Sequence, residues 1–145
     1  MKSICIHGKR NIDSIGGEKK AIRSGMEYVT DEHTSHVNQL SMINKLYMGD
    51  DFEYKTTLKK ELTKKINSYK GQDIKKGIYD EKKLISFEDT IEKLVSSKLL
   101  CYYCSINVKI IYKNVREPCQ WTLDRKNNSE CHSNENTIIA CMKCN

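Results

Sequence analysis

No run of about 18 apolar residues occurs in the sequence, so no membrane-spanning helix is expected. Residues 1–8 are basic but lack an apolar core of signal-peptide length, which points to an intracellular location, cytoplasm or nucleus. Apolar residues are scarce at 38%, against 30% charged. A large apolar core is therefore not expected, and a bound metal would supply stability that burial cannot. Pro118 is the one proline, and arginine is confined to Arg10, Arg23, Arg116 and Arg125. No internal repeat or low-complexity tract is present. The abundance of Lys, Asn and Ile fits an AT-rich genome and carries no functional information.

What is present is positive charge in one place. The 145 residues carry a formal net charge of +6, which favours polyanionic partners. Ten lysines (Lys55, Lys59, Lys60, Lys64, Lys65, Lys70, Lys75, Lys76, Lys82, Lys83) fall in 55–83. Glu61, Asp73, Asp80 and Glu81 offset four of them, so this arm alone accounts for +6.

The apolar pattern divides the chain in three. Residues 1–35 show no clear period and are interrupted by Gly8, Gly16, Gly17 and Gly25, which reads as an irregular arm. Its histidines His7 and His33, with His36 at its edge, lack a ligand-spaced partner and read as exposed polar residues. Residues 36–98 read as a basic helical region. A helix is expected over 35–47 on Val37, Leu40, Ile43 and Tyr47, and a second over 51–69 on Tyr54, Leu58, Leu62, Ile66 and Tyr69. Gly71 is the expected stop, with a connector over 73–80. Ser86 and Asp89 resemble a capping box, opening a helix that buries Phe87, Ile91, Leu94 and Val95. Residues 99–145 form the third part. A strand is expected over 106–115, a second over 121–124, and a short helix over 138–144.

Two Cys-x-x-Cys pairs bracket that last part. Cys101 and Cys104 open it, Cys141 and Cys144 close it, and 36 residues lie between the pairs. Each pair can turn two thiolates onto one metal, and four thiolates make a closed tetrahedral structural zinc site. In an intracellular setting such pairs favour metal over disulfides. Cys5, Cys119 and Cys131 are left as free thiols, and Asn145 follows the last cysteine.

Between the pairs stand Leu123-Asp124-Arg125, Asn127-Asn128-Ser129, His132 and Asn136. Together with Cys141-x-x-Cys144-Asn145 they resemble an HNH endonuclease of the zinc-knuckle branch. That branch includes the endonuclease VII type of junction resolvase and HNH-like proteins of phages and giant DNA viruses. The resemblance covers residues 99–145, and more weakly 65–79. It implies an α+β protein: a basic α-helical N-terminal region followed by a small zinc-stabilised ββα-metal module. It implies metal-dependent cleavage of DNA, with a Mg2+ or Mn2+ ion held by Asp124 and Asn145, both oxygen ligands. Asn136 matches the Asn that steadies the loop carrying the general base. The usual His after the Asp is Arg125 here. Arginine cannot act as a base near neutral pH but can clamp a phosphate bidentately. His132, the one histidine of the module, is the candidate base, and a purely structural loop histidine is an equal alternative. Lys126 replaces an apolar residue of the family's segment, Asn127 an acidic one, and Glu130-Cys131 stands where glycine is usual. The family's helix runs on past its last Asn, whereas this sequence ends at Asn145.

Trp121, Tyr102 and Tyr103 can stack on nucleobases or pack around the zinc knuckle, and packing is favoured. The lysine arm is read as a sequence-independent contact to the DNA backbone. The rival function is a catalytically inactive, zinc-containing DNA-binding protein derived from such a nuclease, and a protein-binding zinc module stands third.

Overall fold

The computed structural model describes residues 21–145. Cys5, His7 and most of the expected irregular arm lie outside them. Among the described residues, four helices and one two-stranded sheet follow in order: α1 (Asp31–Thr34), α2 (His36–Met48), α3 (Lys55–Lys76), α4 (Phe87–Ser96), β1 (Trp121–Arg125) and β2 (Thr137–Cys141). The fold is α+β. No helix among the described residues is long and apolar enough to cross a membrane.

Local chemistry explains the helix ends. Ser35 Oγ accepts the Asn38 N–H at the start of α2, and Gly49, at φ 78°, ends it in a left-handed cap. The buried stripe of α2 is Gln39, Met42, Ile43 and Leu46. This is one register away from the expected stripe, and Val37 and Tyr47 face solvent. Ser86 Oγ accepts the Asp89 N–H at 3.0 Å, so α4 starts as the capping signature indicates.

Helix α3 departs from expectation. It does not stop at Gly71 but continues to Lys76, and Gly77, at φ 72°, is the terminator. A mid-helix glycine costs about 1 kcal/mol relative to alanine. Tertiary contacts override it, because Asp73, in the turn beyond Gly71, is fully buried and bonds twice to His132.

The expected strand over 106–115 is also absent. Only isolated bridges form there, Leu100 with Asn107, Lys109 with Gln120 and Ile22 with Asn114. The reason is the partner this segment finds. Gln39 reaches from α2, where its Oε1 accepts the Ile110 N–H at 2.6 Å and its Nε2 donates to Ile111 O at 2.7 Å. A buried side-chain amide thus takes the place of a neighbouring strand, and the ladder never extends. Ile110, Ile111 and Tyr112 are buried in succession, which a two-sided strand pattern does not anticipate.

The third correction concerns 138–144. It is not a helix: Thr137, Ile138 and Ile139 form β2, antiparallel to β1, with Trp121 opposite Cys141 and Asp124 opposite Ile138. β-branched residues favour the pleated surface, and a helix this short is marginal without packing. Cys141 therefore arrives from a strand, and Asn145 sits on the turn after it.

Strand β1 has one strand neighbour, so its outer edge needs another partner. Helix α3 supplies it through side chains four residues apart, which share one face. Lys65 Nζ donates to Trp121 O, and Tyr69 Oη accepts the Leu123 N–H at 3.0 Å. Asp73 Oδ1 and Oδ2 take His132 Nδ1–H and N–H at 2.7 and 2.8 Å. One turn earlier, Glu61 pairs with Arg23 at 2.6 Å. A single core contains residues from α2, α3 and α4 together with Cys101, Trp121, Ile139 and Cys141.

Lys65 lies between the Tyr112 and Trp121 rings, 5.4 and 5.0 Å from their centroids. Burial, with the Arg23 charge beside it, pushes its ammonium down to about 7. The unfolded lysine keeps its proton to about pH 10. Between these values the unfolded state holds more protons, so folding stability rises with pH. Thermal midpoints are expected to climb from pH 7 to above 9 in the wild type. Lys65→Met is expected to flatten that climb, and an equal slope in both proteins would refute the assignment. Gly71 is exposed, and a Cβ there meets nothing within 4 Å. Gly71→Ala is expected to stabilise the protein by about 0.5–1 kcal/mol, read as a higher denaturant midpoint.

Candidate metal centre and hairpin site

The four sulfurs of Cys101, Cys104, Cys141 and Cys144 lie within 4.8 Å of one another, and those of Cys104 and Cys141 are 3.8 Å apart. Tetrahedral zinc with bonds of ~2.3 Å places its sulfurs about 3.8 Å from each other. The donor set and spacing fit a single zinc ion. The first pair rides on the turn after α4, where Lys98, Leu99 and Ser105 adopt left-handed backbone at φ 55°, 54° and 61°. Non-glycine residues pay about 1–2 kcal/mol for this conformation, and buried Leu99 holds it in place. The second pair follows from β2 and its turn. Tyr102 N–H donates to Ile139 O at 2.9 Å, which ties one knuckle to the strand leading into the other.

Burial raises the Cys101 thiol, but N–H groups of Cys104, Cys141 and Tyr103 outweigh it and bring it down to about 6. Hydrogen bonds from Cys104 and Cys141 push Cys144 up to about 12. A bound metal would deprotonate the set. Cys119 and Cys131 stand outside the cluster. His33 Nδ1 accepts the Thr30 N–H at 3.0 Å, and neither His33 nor His36 belongs to a metal-ligand group among the described residues.

The hairpin beside this cluster carries the other chemistry-bearing side chains. Thr122 and Asp124 share one face of β1 by alternation. Thr122 Oγ1 donates to Ala140 O and accepts Asn145 Nδ2–H at 3.0 Å. The Asn145 amide is thus set on the Asp124 face. Asp124 Oδ2 accepts the hydroxyl of Tyr103, from inside the first knuckle, and this carboxylate pushes the Tyr103 phenol up to about 12. Two pairs thus stand on β1: Tyr103 with Asp124 and Asn145 with Thr122.

Asn136 is 6% exposed and closes the loop between the strands. Its Oδ1 accepts the Asn127 N–H at 2.9 Å, and its Nδ2 donates to Asn127 O at 2.9 Å and Cys131 O at 3.0 Å. Arg125 alternates to the other face of β1, and its Nη1 donates to Asn128 O and Glu130 O. His132 does not face open solvent. It is 3% exposed, stacked on Tyr69 at 4.5 Å between centroids, with Nδ1 held by Asp73. Burial lowers its pKa despite the opposing pull of Asp73, so the imidazole is neutral near pH 7. Trp121 is fully buried, whereas Tyr102 and Tyr103 are 71% and 53% exposed, so only the tryptophan packs as expected.

Sequence reasoning missed Tyr103, Tyr69 and Asp73 as partners of this site. Tyr69 and Asp73 stand one helical turn apart, but their partners lie 54 and 59 positions away, so spacing alone does not name them. No family model, curated protein or solved structure matches this chain.

Purified protein is expected to carry about one zinc per chain, measured by elemental analysis. Cys104→Ser is expected to lose most of it and to unfold at much lower temperature, because structural zinc contributes about 10 kcal/mol or more to small modules. A metal-free protein with an unchanged midpoint would remove zinc from the account.

Proposed function

We propose that this chain is an HNH-like endonuclease that hydrolyses phosphodiester bonds of DNA with a divalent metal, on a frame held by a structural zinc site of four cysteines. The observation that supports this reading is the bond of the Asn145 amide to Thr122, two residues before Asp124 on the same strand, beside those cysteines. The strands of the ββα motif correspond to β1 and β2, and the turn over 142–145 stands where its helix would start. Asp124 spends Oδ2 on Tyr103 and Asn145 spends Nδ2 on Thr122, which leaves one oxygen of each for a ligand. Mg2+ or Mn2+ suits such oxygens and would stabilise charge on the phosphate and the leaving oxygen.

The remaining roles follow from the bonds already described. Asn136 holds the loop closed. Only Nη1 of Arg125 is bonded to that loop, which leaves the rest of its fork for a phosphate. His132 donates Nδ1–H to Asp73, leaving Nε2 as the basic nitrogen, and burial keeps it neutral. It serves as base once the loop over 126–136 opens. The exposed lysines of α3, Lys59, Lys60, Lys64, Lys70, Lys75 and Lys76, contact the DNA backbone; buried Lys65 does not.

A second reading is favoured by the burial of His132 and the tethering of Arg125: a zinc-containing DNA-binding protein without turnover. Nicking of supercoiled plasmid with Mg2+ or Mn2+ separates the two. Under the nuclease reading the wild type nicks, Asp124→Ala is slower by about a thousandfold, and His132→Gln loses rate while still binding DNA. Metal-dependent nicking that persists in Asp124→Ala would sink the assigned site. No nicking by the wild type, with salt-sensitive DNA binding retained, would establish the second reading.

A further inference from the structure

The cleft lined by Arg23, Ser24, Lys64, Tyr112, Arg116 and Gln120 includes neither the cysteines of the cluster nor Asp124, and has a volume of about 360 Å3. Three cations border it. One is built in: Arg23 lies 4.1 Å over the Tyr112 ring, donates to Tyr112 O at 3.0 Å and pairs with buried Glu61. The other two, Lys64 and Arg116, are exposed. Glu61 offsets one of the three charges, so the cleft keeps +2. Lys65 lies just beneath, its charge coupled to that of Arg23.

The backbone adds a second observation. Arg116 adopts left-handed φ 58°, a conformation that costs a non-glycine residue about 1–3 kcal/mol and is retained where surroundings enforce it. The bridge of Ile22 to Asn114 and the bond from Arg23 N–H to Lys113 O at 2.9 Å hold the tip beside Arg23. Polar groups complete the lining: Ser24 carries a hydroxyl, and the Gln120 amide is fixed by the Tyr112 hydroxyl at 2.8 Å. A cleft with converging cations, a hydroxyl and an amide has the chemistry of an oxyanion site.

Its position says which oxyanion. Gln120 directly precedes β1, so alternation puts it on the same side as Thr122 and Asp124. Four residues of extended chain span about 13 Å. A nucleic-acid strand presents phosphates repeatedly over that length, whereas an isolated phosphate would leave the line from Gln120 to Asp124 unused.

We propose that this cleft holds a backbone phosphate of the nucleic-acid strand whose next few nucleotides run past Asp124. The site rests on the DNA reading above and refines it, since Arg23, Arg116 and Gln120 lie outside the lysine arm.

The test is fluorescence anisotropy of a labelled DNA duplex of about 20 base pairs over a salt series. Each lost phosphate contact lowers the slope of log affinity against log salt by about 0.9. Arg116→Ala removes an exposed cation that lies outside the lysine arm, so its slope is expected to be shallower by about 1, with an unchanged thermal midpoint. Lys45→Ala/Lys98→Ala removes two exposed cations elsewhere and is expected to leave the slope as in the wild type. A wild-type slope in the cleft variant, or an equal loss in the control, would overturn the cleft while leaving DNA binding standing. Wild type that binds no duplex at low salt would instead overturn the DNA reading itself. Inorganic phosphate that displaces the duplex at constant ionic strength would show a site for the free ion and overturn the strand assignment.

Discussion

Strand β1 must satisfy two edges, and only one faces another strand. Every chemistry-bearing side chain of the hairpin depends on how the other edge is closed. A bare strand edge invites pairing with another chain. Here Lys65 and Tyr69 of a helix, with the Lys109 carbonyl, meet that edge at Trp121 and Leu123, and Asp73 one turn on holds His132 in the loop beyond. The helix therefore fixes the height of the strand and the position of the loop beyond it. A buried carboxylate and a buried lysine are costly unless paired. Asp73 meets this condition by taking two N–H groups from one residue, and Lys65 by sharing its charge with two rings and a carbonyl.

This arrangement explains which features could be read in the sequence. The cysteine spacing could, because two thiolates on one metal require a short local turn. Ser86 and β1 were legible for the same reason, since a cap and a short strand are written in neighbouring residues. The helical course through Gly71 was not legible. Its justification is Asp73 on His132, 59 positions apart. The segment over 106–115 has strand composition, but the group that meets its backbone is Gln39, whose amide lies 71 and 72 positions away. The β-branched run at 137–139 could have been recognised, because helix formation over so few residues has little in its favour. Around Asp124, the sequence pattern singles out Asn136 and Asn145, whereas Tyr103, Tyr69 and Asp73 make contacts that pattern does not encode.

The cysteine cluster and the Asp124 face share a covalent link. Tyr103 sits between the two thiols of the first knuckle and places its hydroxyl on Asp124. Whatever holds Cys101 and Cys104 together also sets where that hydroxyl points. On the other side, Asn145 follows Cys144 directly and reaches Thr122. The two cysteine pairs thus each carry one arm to the same strand face. Outer-shell partners of this kind orient a ligand oxygen and tune its basicity. If Asp124 binds a cation, the cysteine cluster supports that site as well as the fold.

The same logic bears on His132. A carboxylate on Nδ1 is the arrangement that orients a catalytic imidazole, and it is equally an arrangement that buries a histidine without an orphaned N–H. The two uses differ in what the rest of the ring meets. Here one face packs on Tyr69 and little of the residue reaches solvent, so the closed structure is built for stability. Catalysis would require the loop to move, and that loop is stapled by four side-chain bonds of Asn136 and two of Arg125. Opening it to water would expose these groups to competing hydrogen bonds, so each is lost at only a modest net cost. A phosphate that draws the Arg125 guanidinium off the loop carbonyls would release two of those ties while supplying the charge that arginine prefers. In that case phosphate binding and uncovering of His132 are a single event, and Arg125 couples them.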